Sequence, residues 1–347
     1  MKALVKYKKG IDNMEIRNVL IPEPDDNEVK IKINACGICG TDIKIMKDEF
    51  PYNIPVIIGH EFSGEIVKVG KKVNGWKIGD KVVSELHTGA CGVCRFCRTG
   101  NYQACKFKQS PGYGINGSFA EYIKMPSWLL HRIPDGVSME EAAIMEPAAI
   151  AAQTLHRANV GTADFVVIFG PGPIGLISAQ MAMIAGASRV IMVGKEIDSK
   201  IRLPLAKKLG VDHVVNIDDE ETNLENFVKN LTSGEGADVV IEATGSEFAI
   251  NKAFEILRWN GRMAVVGLSN KMKLNIDWRT GGFKALDIRF SFSSKYLDWE
   301  KTLQLLEKKK LNLKALITHE FVLDEWGKAF QIIAEGKAIK VLLKPNK

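Results

Sequence analysis

Cys91, Cys94, Cys97 and Cys105 lie in one short stretch of the chain. A C-x2-C-x2-C-x7-C spacing lets four thiolates close on one tetrahedral zinc ion, each about 2.3 Å from the metal. With every position taken by sulfur no water can bind, so such an ion would be structural. It would tie down a loop in which Gly89, Gly92 and Gly100 leave little to pack. Of the six cysteines, Cys39 remains for a second, open site: it precedes Gly40-Thr41-Asp42, Gly59-His60-Glu61 follows about twenty residues later, and Glu146 sits in Met145-Glu146-Pro147. Cys39, His60 and Glu146 would supply one thiolate, one imidazole and one carboxylate, and leave a position for water or substrate. Zinc held that way acts as a Lewis acid on an alcohol oxygen and eases loss of its proton. Thr41 has a hydroxyl suited to relay that proton, and Asp42 is suited to orient a ligand. Alone, His60 reads more readily as a buried structural histidine and Glu146-Pro147 as a helix cap; it is their coexistence with the cysteine loop and a glycine motif further along the chain that favours a metal site. Cys36, spaced C-x2-C from Cys39, is expected to be a buried thiol that binds nothing.

A second constellation supplies a hydride acceptor. The apolar run Phe165-Val166-Val167-Ile168-Phe169 leads into Gly170-Pro171-Gly172-Pro173-Ile174-Gly175 and then into a helical segment, Leu176 to Ala185. In a strand-turn-helix context the first glycine makes the turn, the second admits a pyrophosphate to the backbone, and the third lets helix and strand pack closely. The phosphates then sit at the helix N-terminus. A carboxylate for the ribose is expected about 20 residues on. The sequence there reads Val193-Gly194-Lys195-Glu196. Gly194 has no carboxylate, and Lys195, Lys200 and Arg202 offer cations for a 2′-phosphate, whereas Glu196 offers a carboxylate for a 2′-hydroxyl. NAD and NADP both remain open.

These groups need two kinds of scaffold. As far as Glu146 the chain reads as short β-rich runs: Val29 to Ile33, Gly64 to Val69 and Gly79 to Val83, a β-rich, partly open barrel. After Pro147 apolar runs at 164–169, 189–193, 213–217, 238–243 and 262–266 alternate with helix-like segments, which implies a parallel sheet covered on both faces. A strand at 288–292, a helix near 299–309 and a strand at 339–343 are expected to return to the first domain. The reading is an α/β protein with domains at 1–150 plus 286–347 and at 151–285.

Composition narrows the function classes. With 347 residues, 46% hydrophobic and 25% charged, the chain reads as a soluble globular protein. The formal charge of +6 is dispersed; its densest run, Lys308 to Lys310, has no interleaved aromatics, so nucleic acid is not expected as a partner. No apolar span approaches about 20 residues and no cleavable leader is evident, so no membrane partner is expected either. Clustered cysteines without a leader suit metal thiolates in a reducing compartment, and cytoplasmic residence is the expectation.

Taken together, the chain resembles the zinc-containing medium-chain alcohol dehydrogenases, in the branch of the sorbitol, threonine and butanediol enzymes. The resemblance rests on Ala35 to Asp42, Gly59-His60-Glu61-Phe62-Ser63-Gly64, Gly79-Asp80-Lys81-Val82, the four-cysteine loop, Gly117-Ser118-Phe119-Ala120-Glu121-Tyr122 and Gly170 to Gly175, in that order. It implies a first domain like the GroES chaperonin barrel, a Rossmann second domain and an active site in the cleft between them. It also implies two Zn2+ per chain, with Cys39, His60 and Glu146 on the catalytic ion and Glu61 as a neighbour that can exchange onto it. By the same resemblance Val266-Gly267-Leu268 and Ser291-Phe292-Ser293 line the nicotinamide, and the assembly is a homodimer or homotetramer. The resemblance suggests that a strand near Arg262 to Leu268 lies at a sheet edge and pairs across a two-fold axis. The expected substrate is a small-molecule alcohol, a polyol or sugar alcohol oxidised at a secondary hydroxyl. The alternative is threonine or a vicinal diol. Gly194 departs from the acidic residue of NAD-dependent members, and Ser291 stands where sorbitol enzymes carry an arginine. A non-catalytic dinucleotide-binding protein would have lost the open-site ligands, which this sequence keeps.

Overall fold

The computed structural model describes residues 1–346. They form two compact units: Met1–Ala149 with Ser294–Lys309 and Leu313 onward, and Ile150–Ser293 with Lys310–Asn312.

The first unit is organised by one long strand, Glu28–Gly37. Val29, Ile31 and Ile33 alternate into the core, as a half-buried strand requires. The strand pairs antiparallel with Glu61–Val69, Tyr122–Pro126 and Lys340–Lys344. Ile317–Val322 lies beside Lys340–Lys344, while Lys81–Ser84 and Leu130–Arg132 extend the sheet beyond Glu61–Val69. A smaller sheet joins Met14–Asn18, Lys2–Lys6 and Val56–Ile57. Leu4, Ile33, Phe62, Ile66, Phe119 and Phe330 belong to the shared apolar core. Two strands run further than their apolar patterns predict. Ala35, Cys36 and Gly37 pair with Ser63, Phe62 and Glu61, which carries both strands into the glycine-bearing and acidic residues of the motifs.

The segment after Ser294 docks through a buried polar chain. Trp299 Nε1 donates to Ser294 Oγ at 3.0 Å, and its ring stacks on His131 with centroids 5.4 Å apart. His131 presents Nδ1 to Glu300 and Nε2 to Glu85 Oε1 at 3.2 Å, while Glu85 Oε2 lies 3.3 Å from His87 Nε2. Burial works to raise the Glu85 pKa, but hydrogen bonds from His131 and His87 outweigh it and hold the carboxyl below its ordinary value. His131→Phe keeps a ring on Trp299 and removes both polar links. It should destabilise this unit by about 3 kcal/mol at neutral pH, because a buried carboxylate loses a partner. Because the folded Glu85 pKa is depressed, its stabilisation is full above the ordinary carboxylate range and fades as pH falls toward the folded value. Urea unfolding of parent and variant should therefore show a gap that closes on acidification; an equal gap at both pH values would contradict this.

The second unit is a six-stranded parallel sheet. Its order is His213–Asn216, Arg189–Gly194, Phe165–Phe169, Ala237–Glu242, Leu257–Val265 and Asp287–Phe290. That is the doubly wound 3-2-1-4-5-6 order, which reverses beside the first strand. Phe165–Phe169 is buried along its whole length, as a central parallel strand should be. The helix Pro173–Ile184 packs on it and on Arg189–Gly194.

Two expectations are corrected here. The strand expected at 288–292 was assigned to the first domain, but Asp287–Phe290 adds in parallel to Leu257–Val265, with Arg262 opposite Asp287 and Val265 opposite Phe290. The second unit therefore runs to Ser293. Only the short helix Trp278–Phe283 precedes this strand, so the strand-helix alternation is hard to read there. The Arg262 stretch is consequently interior to the sheet; the edge is Asp287–Phe290.

Candidate functional site

Strand register builds the first site. Gly37 stands opposite Glu61 on one side and Leu342 on the other, which brings Lys340 to Glu61 across 279 residues of sequence. Lys340 Nζ donates to both carboxylate oxygens of Glu61, at 2.8 and 2.7 Å, and to the carbonyl of Ile38 at 3.1 Å. Both side chains are buried. Burial lowers the Lys340 pKa, but Glu61 and then Cys39 outweigh it, so the ammonium stays above its ordinary value. Only a glycine fits at position 37, since a Cβ there would lie 2.0 Å from Glu61 Oε2.

Cys39 precedes the short helix Gly40–Met46. Asp42, in its first turn, accepts the Cys39 backbone N–H at 2.8 Å and is fully buried. Its other oxygen faces His60 Nδ1 at 3.6 Å, and neither atom has a closer partner. Burial opposes protonation of His60, yet Asp42 and Cys39 outweigh it and raise its pKa. At 3.6 Å the two do not form a hydrogen bond, but the Asp42 charge favours a proton on Nδ1, which would leave Nε2 to ligate a metal. One donor atom each from Cys39, His60 and Glu61 lies within 4.8 Å of the others.

Glu146 stands outside that triple. It lies in the first turn of the helix Met145–Ala158 and is buried. Burial, with Glu61 adding and His60, Lys340 and Lys108 opposing, raises its pKa to about 7. Thr41 is half-buried in the first turn after Cys39. Cys36 is buried, its thiol donates to the Ser118 carbonyl at 2.9 Å, and burial raises its pKa; it takes no part in either donor group.

Three neighbours were not anticipated from sequence. Tyr113 sets its ring edge-on to His60, centroids 6.2 Å apart, and burial raises its pKa. Lys108 feels Glu146 and is lowered by burial. Lys340 was the readable one: two lysines, Lys340 and Lys344, sit in an otherwise apolar strand, and both are buried.

The four-cysteine loop is separate. Its sulfurs lie 4.0 Å (Cys91 to Cys97), 3.5 Å (Cys94 to Cys97) and 3.7 Å (Cys105 to Cys91) apart. A tetrahedron of sulfurs around zinc has edges of about 3.8 Å. Backbone N–H groups already point at the sulfurs: Cys94 to Cys91 at 3.4 Å and Cys91 to Cys105 at 3.5 Å. The Cys91 N–H brings Cys105 down to about 6. Gly89, Gly92 and Gly100 all have positive φ, from 71° to 74°, which glycine adopts freely.

In the second unit the three glycines of the loop stand in three different environments. Gly170 turns with φ 98°. Gly172 is the helix N-cap, Pro173 follows at the start of the helix, Ile174 continues it, and nothing lies within 4 Å of a Cβ added at Gly172. A Cβ on Gly175 would fall 1.9 Å from the Gly170 carbonyl oxygen, so only glycine permits that contact. Beside the loop lies a cavity of about 290 Å³ lined by residues that include Gly170, Gly172, Gly194, Lys195, Arg202 and Phe248. Glu242, also missed from sequence, organises the neighbouring turns. Its carboxylate accepts N–H from Thr244 at 2.7 Å and Gly245 at 3.0 Å, and its carbonyl accepts from Val266 and Gly267. Gly267 is pressed against this turn, 2.0 Å from Gly245 N for an added Cβ. Leu268 is largely exposed. Ser291 accepts from Thr154 Oγ1 at 3.1 Å, and Phe292 and Ser293 follow it, Phe292 largely exposed.

Comparison with known proteins agrees with this construction. Residues 25–135 match the alcohol dehydrogenase GroES-like domain, and residues 173–308 match the zinc-binding dehydrogenase domain. The chain is 40% identical to a sorbitol dehydrogenase of Halalkalibacterium halodurans, over 99% of each chain. It is 36% identical to a D-arabitol-phosphate dehydrogenase of Enterococcus avium, over 100% of this chain and 98% of that one. A solved zinc-binding dehydrogenase from Sinorhizobium meliloti bound to NADP superposes with a TM-score of 0.90 at 27% identity, covering 99% of each chain. The chain belongs to the zinc-containing medium-chain alcohol dehydrogenase family. It is accordingly an NAD(P)-dependent oxidoreductase with a GroES-like and a Rossmann unit. No helix among the described residues is long and apolar enough to cross a membrane.

The Gly37–Glu61 contact can be tested. Gly37→Ala should cost about 2 kcal/mol in the parent, through overpacking. It should cost much less in a Glu61→Ala background, where the methyl has room. Unfolding of the four proteins in a double-mutant cycle reads this; equal costs in both backgrounds would show that the contact is not the reason for the glycine.

Proposed function

We propose that this enzyme oxidises a secondary hydroxyl of a polyol or sugar alcohol to the ketone, reversibly, with NAD(P) as hydride acceptor. The observation that carries the proposal is the convergence of half-buried Cys39 with buried His60 and Glu61, with buried Glu146 feeling the charges of His60 and Glu61. The donor set, a thiol, an imidazole and carboxylates, fits zinc. We assign the catalytic ion to Cys39, His60 and Glu146. Both oxygens of Glu61 are engaged by Lys340, so Glu61 serves as a neighbour able to exchange. Glu146, by contrast, is a buried carboxyl that a cation would hold ionised. We assign the structural ion to Cys91, Cys94, Cys97 and Cys105. Bound at the first site, zinc supplies a Lewis acid for the hydroxyl oxygen, while the nicotinamide accepts the hydride from the adjacent carbon.

The chain's own groups do the remainder. Asp42 favours one His60 tautomer, and Thr41 is placed by sequence and helix turn to pass the hydroxyl proton outward. Gly170, Gly172, Pro173, Ile174 and Gly175 cradle the pyrophosphate. Val266, Gly267, Leu268, Ser291, Phe292 and Ser293 line the nicotinamide, on a turn that Glu242 holds. The relatives named for sorbitol and arabitol phosphate favour a multi-hydroxyl substrate, and the polar groups around Glu146, including Lys108 and Tyr113, suit one. Assembly as a homo-oligomer is supported by the edge position of Asp287–Phe290, which exposes the Phe290 ring although Arg157 covers its carbonyl.

A panel of polyols, polyol phosphates, threonine and 2,3-butanediol, followed at the nicotinamide absorbance, decides the substrate class. Turnover of polyols is expected; activity confined to threonine or the diol would overturn that choice. Cys39→Ser should lower kcat more than about a hundredfold while one zinc per chain and the fold persist, since only the open site loses a ligand. Cys97→Ser should instead lower thermal stability first and release the other zinc. A Cys97→Ser protein as stable as its parent would refute the structural assignment.

A further inference from the structure

We infer that the enzyme selects NADP(H) over NAD(H), with Lys195 as the contact for the 2′-phosphate, an inference that rests on the dinucleotide site proposed above. A hydroxyl-bearing ribose is ordinarily held by a carboxylate at the end of the second strand. In this chain that strand ends at Gly194, and the position is built around a hydrogen. A Cβ there would lie 2.9 Å from Pro171 Cγ, 3.0 Å from Leu203 Cδ2 and 3.2 Å from Asp198 Cβ. A side chain there would press on the Pro171 ring, Leu203 and Asp198, each of which would have to give by a few tenths of an ångström.

The acidic residues that could substitute for that carboxylate are either engaged or absent from the cavity wall. Asp198 lines the cavity, but Oδ2 accepts the Lys195 backbone N–H at 3.0 Å and Oδ1 pairs with Arg202 Nη1 at 3.0 Å. Glu196 turns its carboxylate to Asn216 at 2.7 Å and to Ser199 at 3.1 Å. Asp218 accepts the Glu196 backbone N–H at 3.0 Å. Asp198 is thus engaged through both oxygens, whereas Glu196 accepts through Oε2 alone and Asp218 through Oδ2 alone, but neither of these two lines the cavity, and Lys195 stands on its wall, exposed. No carboxylate forms an ion pair with its side chain among the described residues. The cavity therefore presents a cation and no free carboxylate where the two cofactors differ. A phosphate dianion gains from that arrangement and a hydroxyl does not.

The charge difference should be measured as binding, apart from turnover. The zinc-loaded full chain is titrated with NADPH and with NADH by nicotinamide fluorescence, with 2′,5′-ADP and 5′-AMP as competitors. NADPH and 2′,5′-ADP should bind at least about tenfold more tightly than their counterparts, and the gap should narrow as salt rises, because the cation is exposed. Lys195→Gln, a surface change, should weaken NADPH about tenfold more than NADH. Gly194→Asp is a poor test because of the Pro171 contact. NADH binding as tightly as NADPH, or Lys195→Gln weakening both alike, would overturn the inference while leaving the dehydrogenase reading intact. Binding of neither dinucleotide would overturn both.

Discussion

Three carboxyl groups and one thiol share a buried corner of the first unit, and their negative charge must be balanced before the fold is stable there. Asp42, Glu61 and Glu146 are each at most 9% exposed, and Cys39 stands among them. Burying one uncompensated carboxylate costs several kcal/mol. The protein supplies one fixed cation, Lys340, and gives it to Glu61 through two hydrogen bonds. Asp42 is answered by the Cys39 backbone and the His60 ring. Glu146 feels His60, Lys340 and Lys108, yet burial still holds its pKa up at about 7, so its charge and that of the Cys39 thiol are only partly answered by the polypeptide. A divalent metal ion meets that demand, so the same deficit that constrains folding defines where chemistry can occur.

Strand register enforces this arrangement. Glu28–Gly37 must accept three partners, and its last residue lies between Glu61 and the Lys340–Lys344 strand. A side chain at Gly37 would occupy the space of the Glu61 carboxylate. One missing methyl group thus permits the ion pair. The second unit uses the same device at Gly175, where the Gly170 carbonyl leaves room only for hydrogen, and a milder form at Gly194, where Pro171, Leu203 and Asp198 crowd an added carbon. At Gly175 that closeness shapes a phosphate cradle, and at Gly194 it removes an acidic residue and with it a barrier to a phosphorylated ribose.

What could be read from sequence follows from how local each interaction is. The four-cysteine loop declares itself because its donors lie within one short stretch, and the glycine loop because strand, turn and helix are contiguous. His60 and Cys39 were legible as a pair of nearby motifs. Lys340 stands out as a charge in an apolar strand, but its partner does not, since Glu61 is 279 residues away in sequence and only the antiparallel register joins them. The resemblance already sets Glu146 ahead of Glu61; what only the register reveals is that Lys340 engages both oxygens of Glu61. Asp287–Phe290 was assigned to the wrong unit because a short edge strand after a six-residue helix has no periodicity of its own to mark it. Glu242 looked like the polar end of an apolar strand, although its carboxylate holds the turn that Gly267 packs against.

The central claim is that buried charge in the first unit is completed by zinc on Cys39, His60 and Glu146. Crystals of the purified enzyme measured on both sides of the zinc absorption edge test it most directly. The account predicts two anomalous peaks per chain, one among Cys91, Cys94, Cys97 and Cys105 and one bonded to Cys39, His60 and Glu146, with Lys340 still on Glu61. A single peak in the cysteine loop, or a second ion held without Glu146, would contradict it.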